Sequence, residues 1–264
     1  MQYSILGDDM QAVTFHLEPE QKVFGEAGAM LYMDSHIHME TTLNAGNGQG
    51  SMLGGLMSGL KRAISGATFF VTTFKAEQGP GEVTFGAPYP GKIIPFELAK
   101  TGPMLCQRDA FLCAEAGIDI SIAFTQKLGA GFFGGEGFVL QKLTGEGNAF
   151  VHSGGMIIAK TLAMGETLRV HAGCLVALSE SVDYDIQLAP GIKTMIFGGD
   201  GIFFATLRGP GVVYIQTLPL SRLADRIVSA AHIPSSEGRA NMSGGNLAGD
   251  IGGAVLGGIF GNRD

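Results

Sequence analysis

The sequence predicts an all-β fold of three repeated β-sandwich or roll units in a pseudo-threefold arrangement, followed by one short C-terminal helix. Three observations carry that reading. A glycine-rich pattern returns at a fixed interval, short segments alternate apolar with polar residues, and turn residues interrupt them about every ten positions.

The interval is read from two segments. Residues 133–143 are FGGEGFVLQKL and residues 197–207 are FGGDGIFFATL. A shift of 64 sets Gly134, Gly135, Gly137, Gly145 and Gly147 on Gly198, Gly199, Gly201, Gly209 and Gly211. The same shift sets Ala110-Phe111-Leu112 on Cys174-Leu175-Val176. In a fainter first copy, Ala29-Met30-Leu31 precedes Ala110-Phe111-Leu112 by 81, whereas Phe74 precedes Leu143 by 69. The difference, 81 − 69 = 12, is extra chain in a Gly-rich insertion, residues 44–66, which reads as a long loop with a short helix around Met52–Ile64. The units are therefore 1–97, 98–161 and 162–233, and residues 234–264 form a flexible Gly-rich tail. Tandem units of this kind close their cores only against neighbours, and pairing each edge strand with the next unit leaves few edges open.

Within the units, Ile37-His38-Met39-Glu40, Ile118-Asp119-Ile120-Ser121-Ile122 and Val182-Asp183-Tyr184-Asp185-Ile186 alternate with period two, as half-buried strands do. β-Branched and aromatic residues dominate Phe69–Phe74, Phe203–Leu207 and Val212–Thr217. Gly79-Pro80-Gly81, Pro88-Tyr89-Pro90-Gly91, Pro190-Gly191 and Gly209-Pro210-Gly211 break the chain as turns. Gly145-Glu146-Gly147 reads as a tight hairpin. The helix is Leu220–Ala231, with Leu220, Leu223, Ile227 and Ala231 on one stripe.

Composition excludes several function classes. A hydrophobic content of 45% fills a core, and 42 glycines in 264 residues far exceed the ordinary share of about 7%. Only 16% of residues are charged and the formal net charge is −7, with Lys61-Arg62 the one adjacent basic pair. Phosphate backbones call for clustered Lys and Arg, so this chain reads as no DNA binder and not as a general RNA binder. Three cysteines without a CxxC spacing suit a reducing cytoplasm, with Cys113 and Cys174 as small apolar strand residues. The N-terminus lacks the apolar run of a signal peptide, and no stretch reaches the ~18 apolar residues of a membrane span.

Candidate chemistry is sparse. His36 and His38, two apart on a strand, point to one face and with Glu40 make a cupin-like metal site. The pair occurs only in the first copy, and Ile37 with Met39 already accounts for the alternation, so a solvated polar face is the favoured reading. The Gly134–Gly137 and Gly198–Gly201 loops carry an acidic residue and run into strands rather than a helix, so they are hairpins and not phosphate cradles. Ser153 follows His152, and neighbours on a strand face apart, which makes a poor dyad. Two apolar features suit interaction: Met52, Leu53, Leu56, Met57 and Leu60 as a helical face beside Lys61-Arg62, and Leu256 with Phe260 in the tail. Both fit a membrane surface or a partner groove, or packing on the chain itself.

Gly66-Ala67-Thr68-Phe69-Phe70 with the run to Phe74, Pro90-Gly91-Lys92-Ile93-Ile94, Asp109-Ala110-Phe111-Leu112-Cys113 and the Gly134–Gly137 loop with its copy at Gly198 together resemble a known pattern. The chain looks like an uncharacterised bacterial member of the altered-inheritance-of-mitochondria family, grouped with the tryptophan RNA-binding attenuator protein-like fold. The resemblance implies repeated β-sandwich or roll units, a closed homo-oligomer with a trimer favoured, and a scaffold rather than a catalyst. It supplies no catalytic residues and no cofactor. The expectation is a non-enzymatic cytoplasmic assembly or binding protein, membrane- or partner-associated. The alternatives are a cupin-like metal protein and a small-molecule or RNA sensor like the attenuator protein.

Overall fold

A computed structural model describes residues 1–44, 69–126, 137–188 and 203–230. The strands fall in one compact unit, Met1–Asp225; the second unit, Arg226–Asp264, is described only in its first few residues. The first seven strands are β1 (Gln2–Leu6), β2 (Ala12–Leu17), β3 (Lys22–Gly25), β4 (Met30–Met33), β5 (Ile37–Asn44), β6 (Phe69–Ala76) and β7 (Gly81–Gly86). The next group is β8 (Gly91–Glu97), a single helical turn α1 (Leu98–Thr101), β9 (Met104–Gln107), β10 (Phe111–Glu115), β11 (Ile118–Gln126), β12 (Phe138–Gly145) and β13 (Asn148–Gly154). The last is β14 (Ile157–Leu162), β15 (Thr167–His171), β16 (Leu175–Ser179), β17 (Asp183–Leu188), β18 (Phe203–Arg208), β19 (Gly211–Gln216) and helix α2 (Leu220–Ala230).

One pairing pattern recurs. In the first group β7 lies between β2 and β4, and β6 between β3 and β5. In the second, β13 lies between β8 and β10, and β12 between β9 and β11. In the third, β19 lies between β14 and β16, and β18 between β15 and β17. Two further pairings, β3 with β10 and β9 with β16, splice neighbouring groups. The result is two six-stranded sheets, β5-β6-β3-β10-β13-β8 and β11-β12-β9-β16-β19-β14, flanked by a four-stranded β1-β2-β7-β4 and a three-stranded β15-β18-β17. β4 and β15 end their sheets, so the splice that would join the third group to the first is not made within the chain.

Three apolar clusters fill the spaces between sheets. Phe15, Phe74, Phe85 and Phe150 centre the first, with edge-on ring contacts at 5.1–5.9 Å. Phe96, Met104, Cys106, Ile118 and Leu143 build the second, and Phe138, Leu140, Leu175, Leu178 and Leu207 the third. The spliced strands feed two clusters at once: Leu112 and Cys113 of β10 belong to the first, and Phe111 and Ala114 to the second. A strand covered on both faces reads as a continuous apolar run, which is why β9 and β16 do not alternate while the outer strands β11 and β17 do.

The predicted turns at 79–81, 88–91 and 209–211 connect strands as expected, and Gly145 and Gly147 carry the positive φ of the hairpin between β12 and β13. Pro190-Gly191, the Gly134 and Gly198 loops, most of the 44–66 insertion and the 234–264 tail lie outside the described residues. The helix is found at Leu220–Ala230, with Leu220 and Ile227 of its stripe exposed. All three cysteines are free and buried; Cys174 lies in a 3₁₀ turn ahead of β16 rather than on a strand. Among the described residues no helix is long and apolar enough to cross a membrane.

Candidate functional site

Where the first two groups splice, the ends of several elements surround a hollow of about 180 Å³. Glu26 follows β3, Asp109 sits in the 3₁₀ turn before β10, Tyr89 lies in the connection between β7 and β8, and His152 is on β13. The Tyr89 and His152 rings meet edge to face at 4.6 Å. Arg108 reaches the Asp109 carboxylate at 3.6 Å.

Glu26 and Asp109 are exposed to solvent at the rim, Tyr89 is half-buried and His152 is buried, so partial burial, screened by water at the carboxylates, sets the electrostatics. It raises the Glu26 carboxyl, the neighbouring Asp109 charge raises it further, and Arg108 opposes both. Asp109 is also raised, chiefly by burial, with Arg108 pulling it back. Tyr89 is pushed up to about 12 by burial and by the Asp109 and Glu26 charges. Burial lowers His152 to about 4 against a hydrogen bond with the Tyr89 backbone, so its ring is neutral at physiological pH. His152 Nδ1 and the fully buried Ser153 Oγ have no hydrogen-bond partner, so these neighbours do not form a dyad with each other. The hollow thus offers raised carboxyls and a neutral ring, without a hydroxyl held against a base.

The second splice is finished differently. A shift of 64 takes His152 to Gln216, whose Oε1 accepts from Gly154 N at 2.8 Å and whose Nε2 donates to Gly173 O at 2.8 Å. His171 Nδ1 accepts from Gly173 N at 3.2 Å in the same place. The repeat interval already pairs His152 with Gln216, but only the fold shows that this position lies at a splice.

The predicted metal residues are placed apart in role. His36 precedes β5 rather than lying on it, because Asp34–Ile37 is a turn closed by Ile37 N to Asp34 O at 3.0 Å. Its Nε2 lies 2.9 Å from the Pro80 carbonyl oxygen. His38 and Glu40 are exposed on β5, opposite Lys75 and Thr73. Among the described residues no three His, Cys, Asp or Glu side chains are grouped to hold a metal ion. Asp119, Asp183 and Asp185 are exposed on β11 and β17. Met52, Leu53, Leu56, Met57, Leu60, Leu256 and Phe260 lie outside the described residues.

Comparison with known proteins bears on the family and the overall fold. A family profile described as "Mitochondrial biogenesis AIM24" matches residues 3–218. An uncharacterized protein of Streptococcus pyogenes serotype M6 is 32% identical over 226 residues, covering 85% of this chain and 87% of that one. A Streptococcus pyogenes protein solved by X-ray crystallography in a structural genomics programme superposes with a TM-score of 0.68 at 28% identity, over 87% of this chain and 99% of that one.

Proposed function

The chain belongs to the mitochondrial biogenesis AIM24 family, and on that premise we propose that it is a non-enzymatic assembly or binding protein that works as a homo-oligomer in the cytoplasm. The observation that carries this reading is the building plan: the same edge-to-edge splice is used twice, and the two strands that would make it a third time, β4 and β15, are left at the ends of their sheets. Such edges attract further strands unless they are covered. The family resemblance favours a trimer. The apolar residues Met52–Leu60, Leu256 and Phe260 are the parts we assign to a membrane surface or protein partner. Light scattering on the purified full-length chain tests the reading: a defined oligomer at micromolar concentration is expected, and a monomer across the whole concentration range would overturn it.

A second reading, a small-molecule binder, is supported by the hollow between Glu26, Asp109, Tyr89 and His152. A thermal-shift screen of small amines and small acids tests it. A shift lost in Glu26→Gln supports it, and no shift with any compound removes it.

A further inference from the structure

The two splices share one register. In the first, Gly25 faces Cys113, Phe24 faces Ala114 and Val23 faces Glu115. In the second, Cys106 faces Ala177, Leu105 faces Leu178 and Met104 faces Ser179. The receiving strands carry the same local irregularity against their own hairpin partner, between Phe111 and Cys113 in β10 and between Leu175 and Ala177 in β16. β4 has it too, between Met30 and Tyr32, so Tyr32 is the counterpart of Cys113 and Ala177. On the donor side, Val23 belongs with Phe74, Met104 with Leu143 and Leu168 with Leu207, so Val170 is the counterpart of Gly25 and Cys106.

The receiving strands differ in one respect. Leu112 and Cys113 are 3% and 0% exposed, Val176 and Ala177 both 0%, whereas Leu31 and Tyr32 of β4 are 57% and 52% exposed. A leucine and a tyrosine side by side at an open edge are placed as their counterparts are, but nothing among the described residues pairs with that strand from the outer side. The first group adds β1 beside β2, where β8 and β14 end their sheets in the other two groups, and three further end strands are not vacant in this sense. β5, β11 and β17 end their sheets in all three groups, so the building plan leaves nothing missing beside them.

The geometry points to a second copy of this chain as the occupant: β15 of one copy pairs antiparallel with β4 of the next. Tyr32 then faces Val170, Met33 faces Arg169 and Asp34 faces Leu168. The four- and three-stranded sheets merge in the order β17-β18-β15-β4-β7-β2, with β1 added outside, matching both six-stranded sheets. Within one copy each of the two edges is held by its own apolar cluster, β4 by the first and β15 by the third. Because each copy offers one β4 and one β15, the contact is head-to-tail and closes into a ring when its rotation allows.

This inference rests on the assembly reading, and the test separates the two. In the first splice Glu26 N donates to Leu112 O, which makes Gly25 and Cys113 a non-hydrogen-bonded pair. Tyr32 and Val170 inherit that position, where Cα atoms approach to about 4.5 Å and a disulfide can form. Tyr32→Cys protein is mixed with Val170→Cys protein and oxidised mildly; the native cysteines are buried. A mixed disulfide dimer is expected, about tenfold more abundant than from Tyr32→Cys mixed with Met164→Cys, an exposed site off the seam. An oligomer by light scattering with no excess of mixed dimer overturns the seam and leaves the assembly reading standing. A monomer overturns both. A Tyr32→Cys/Val170→Cys double variant that closes only within its own chain also overturns the seam. Circular dichroism confirms that each variant is folded before mixing.

Discussion

The two splices use the same strands in the same register, yet one is closed by a glutamine and the other is left hollow. Gln216 ties Gly154 of the second group to Gly173 of the third through both ends of its amide. At the first splice the matching residue is His152, and the adjoining connection contains Pro88 and Pro90, neither of which has an N–H to give. His152 instead meets the Tyr89 ring, and its Nδ1 is left without a partner. The repeated backbone pairing therefore sets where the groups join, while side chains at one position decide whether a joint is sealed. Glu26, Asp109, Tyr89 and His152, each shifted in its affinity for protons, line the joint that is not.

The sharpest way to break this comparison is to delete each residue in turn. Gln216→Ala removes the partner of a buried glycine N–H and of a buried glycine carbonyl, which costs about 2–4 kcal/mol. His152→Leu exchanges a half-satisfied ring for an apolar side chain and changes stability by about 1 kcal/mol or less. Urea unfolding of both variants checks the difference. Equal losses would mean that the amide clip is not what distinguishes the second splice.

The sequence carried much of this fold and little of its joints. Alternation at Ile37–Glu40, Ile118–Ile122 and Val182–Ile186 marks strands with one wet face, and each is found within a residue or so of its predicted start. The apolar runs of β9, β10 and β16 have no period because both faces are buried, so they announce burial without a partner. Which strand lies beside them is a matter of chain separation: Cys113 meets Gly25 across 88 residues, beyond any local pattern. His36 shows the same limit. Its spacing from His38 suggests a shared strand face, but the turn at Asp34–Ile37 places it ahead of the strand, with Nε2 against the Pro80 carbonyl 44 residues away. The hollow gave no sequence signal, since Glu26, Tyr89, Asp109 and His152 form no motif.

Acid sharpens the comparison further. The folded His152 holds its proton only below about pH 4, whereas an unfolded histidine takes it up near 6.5. Between those values the unfolded chain binds more protons, so the stability that His152 permits is complete above pH 6.5 and is lost as the pH falls towards 4. His171 is also lowered and contributes in the same direction at the second splice, in wild type and variant alike. Melting temperatures measured from pH 7.5 to 4 are therefore expected to fall more steeply for the wild type than for His152→Leu. Parallel curves would show that His152 is not the group that titrates.

The smallest effect comes from the carboxyls. Glu26 is raised, so its ionised form is the one the folded state disfavours. Its contribution is favourable while both states are protonated and is lost as the pH rises from the unfolded value through the folded one. At pH 7 the folded chain bears that cost, reduced by the solvent around the exposed Glu26, and Glu26→Gln is expected to raise the melting temperature by about 1 °C at most, with the gain vanishing below about pH 4. The substitution also has a natural precedent in the molecule. By the interval of 81, Glu26 falls on Gln107, which is buried at the second splice. Glu26→Gln thus writes the sealed joint's residue into the open one. A gain in stability at neutral pH would mean that the first splice keeps its carboxylate at the expense of stability. That is the behaviour of a group retained for binding rather than for holding the fold.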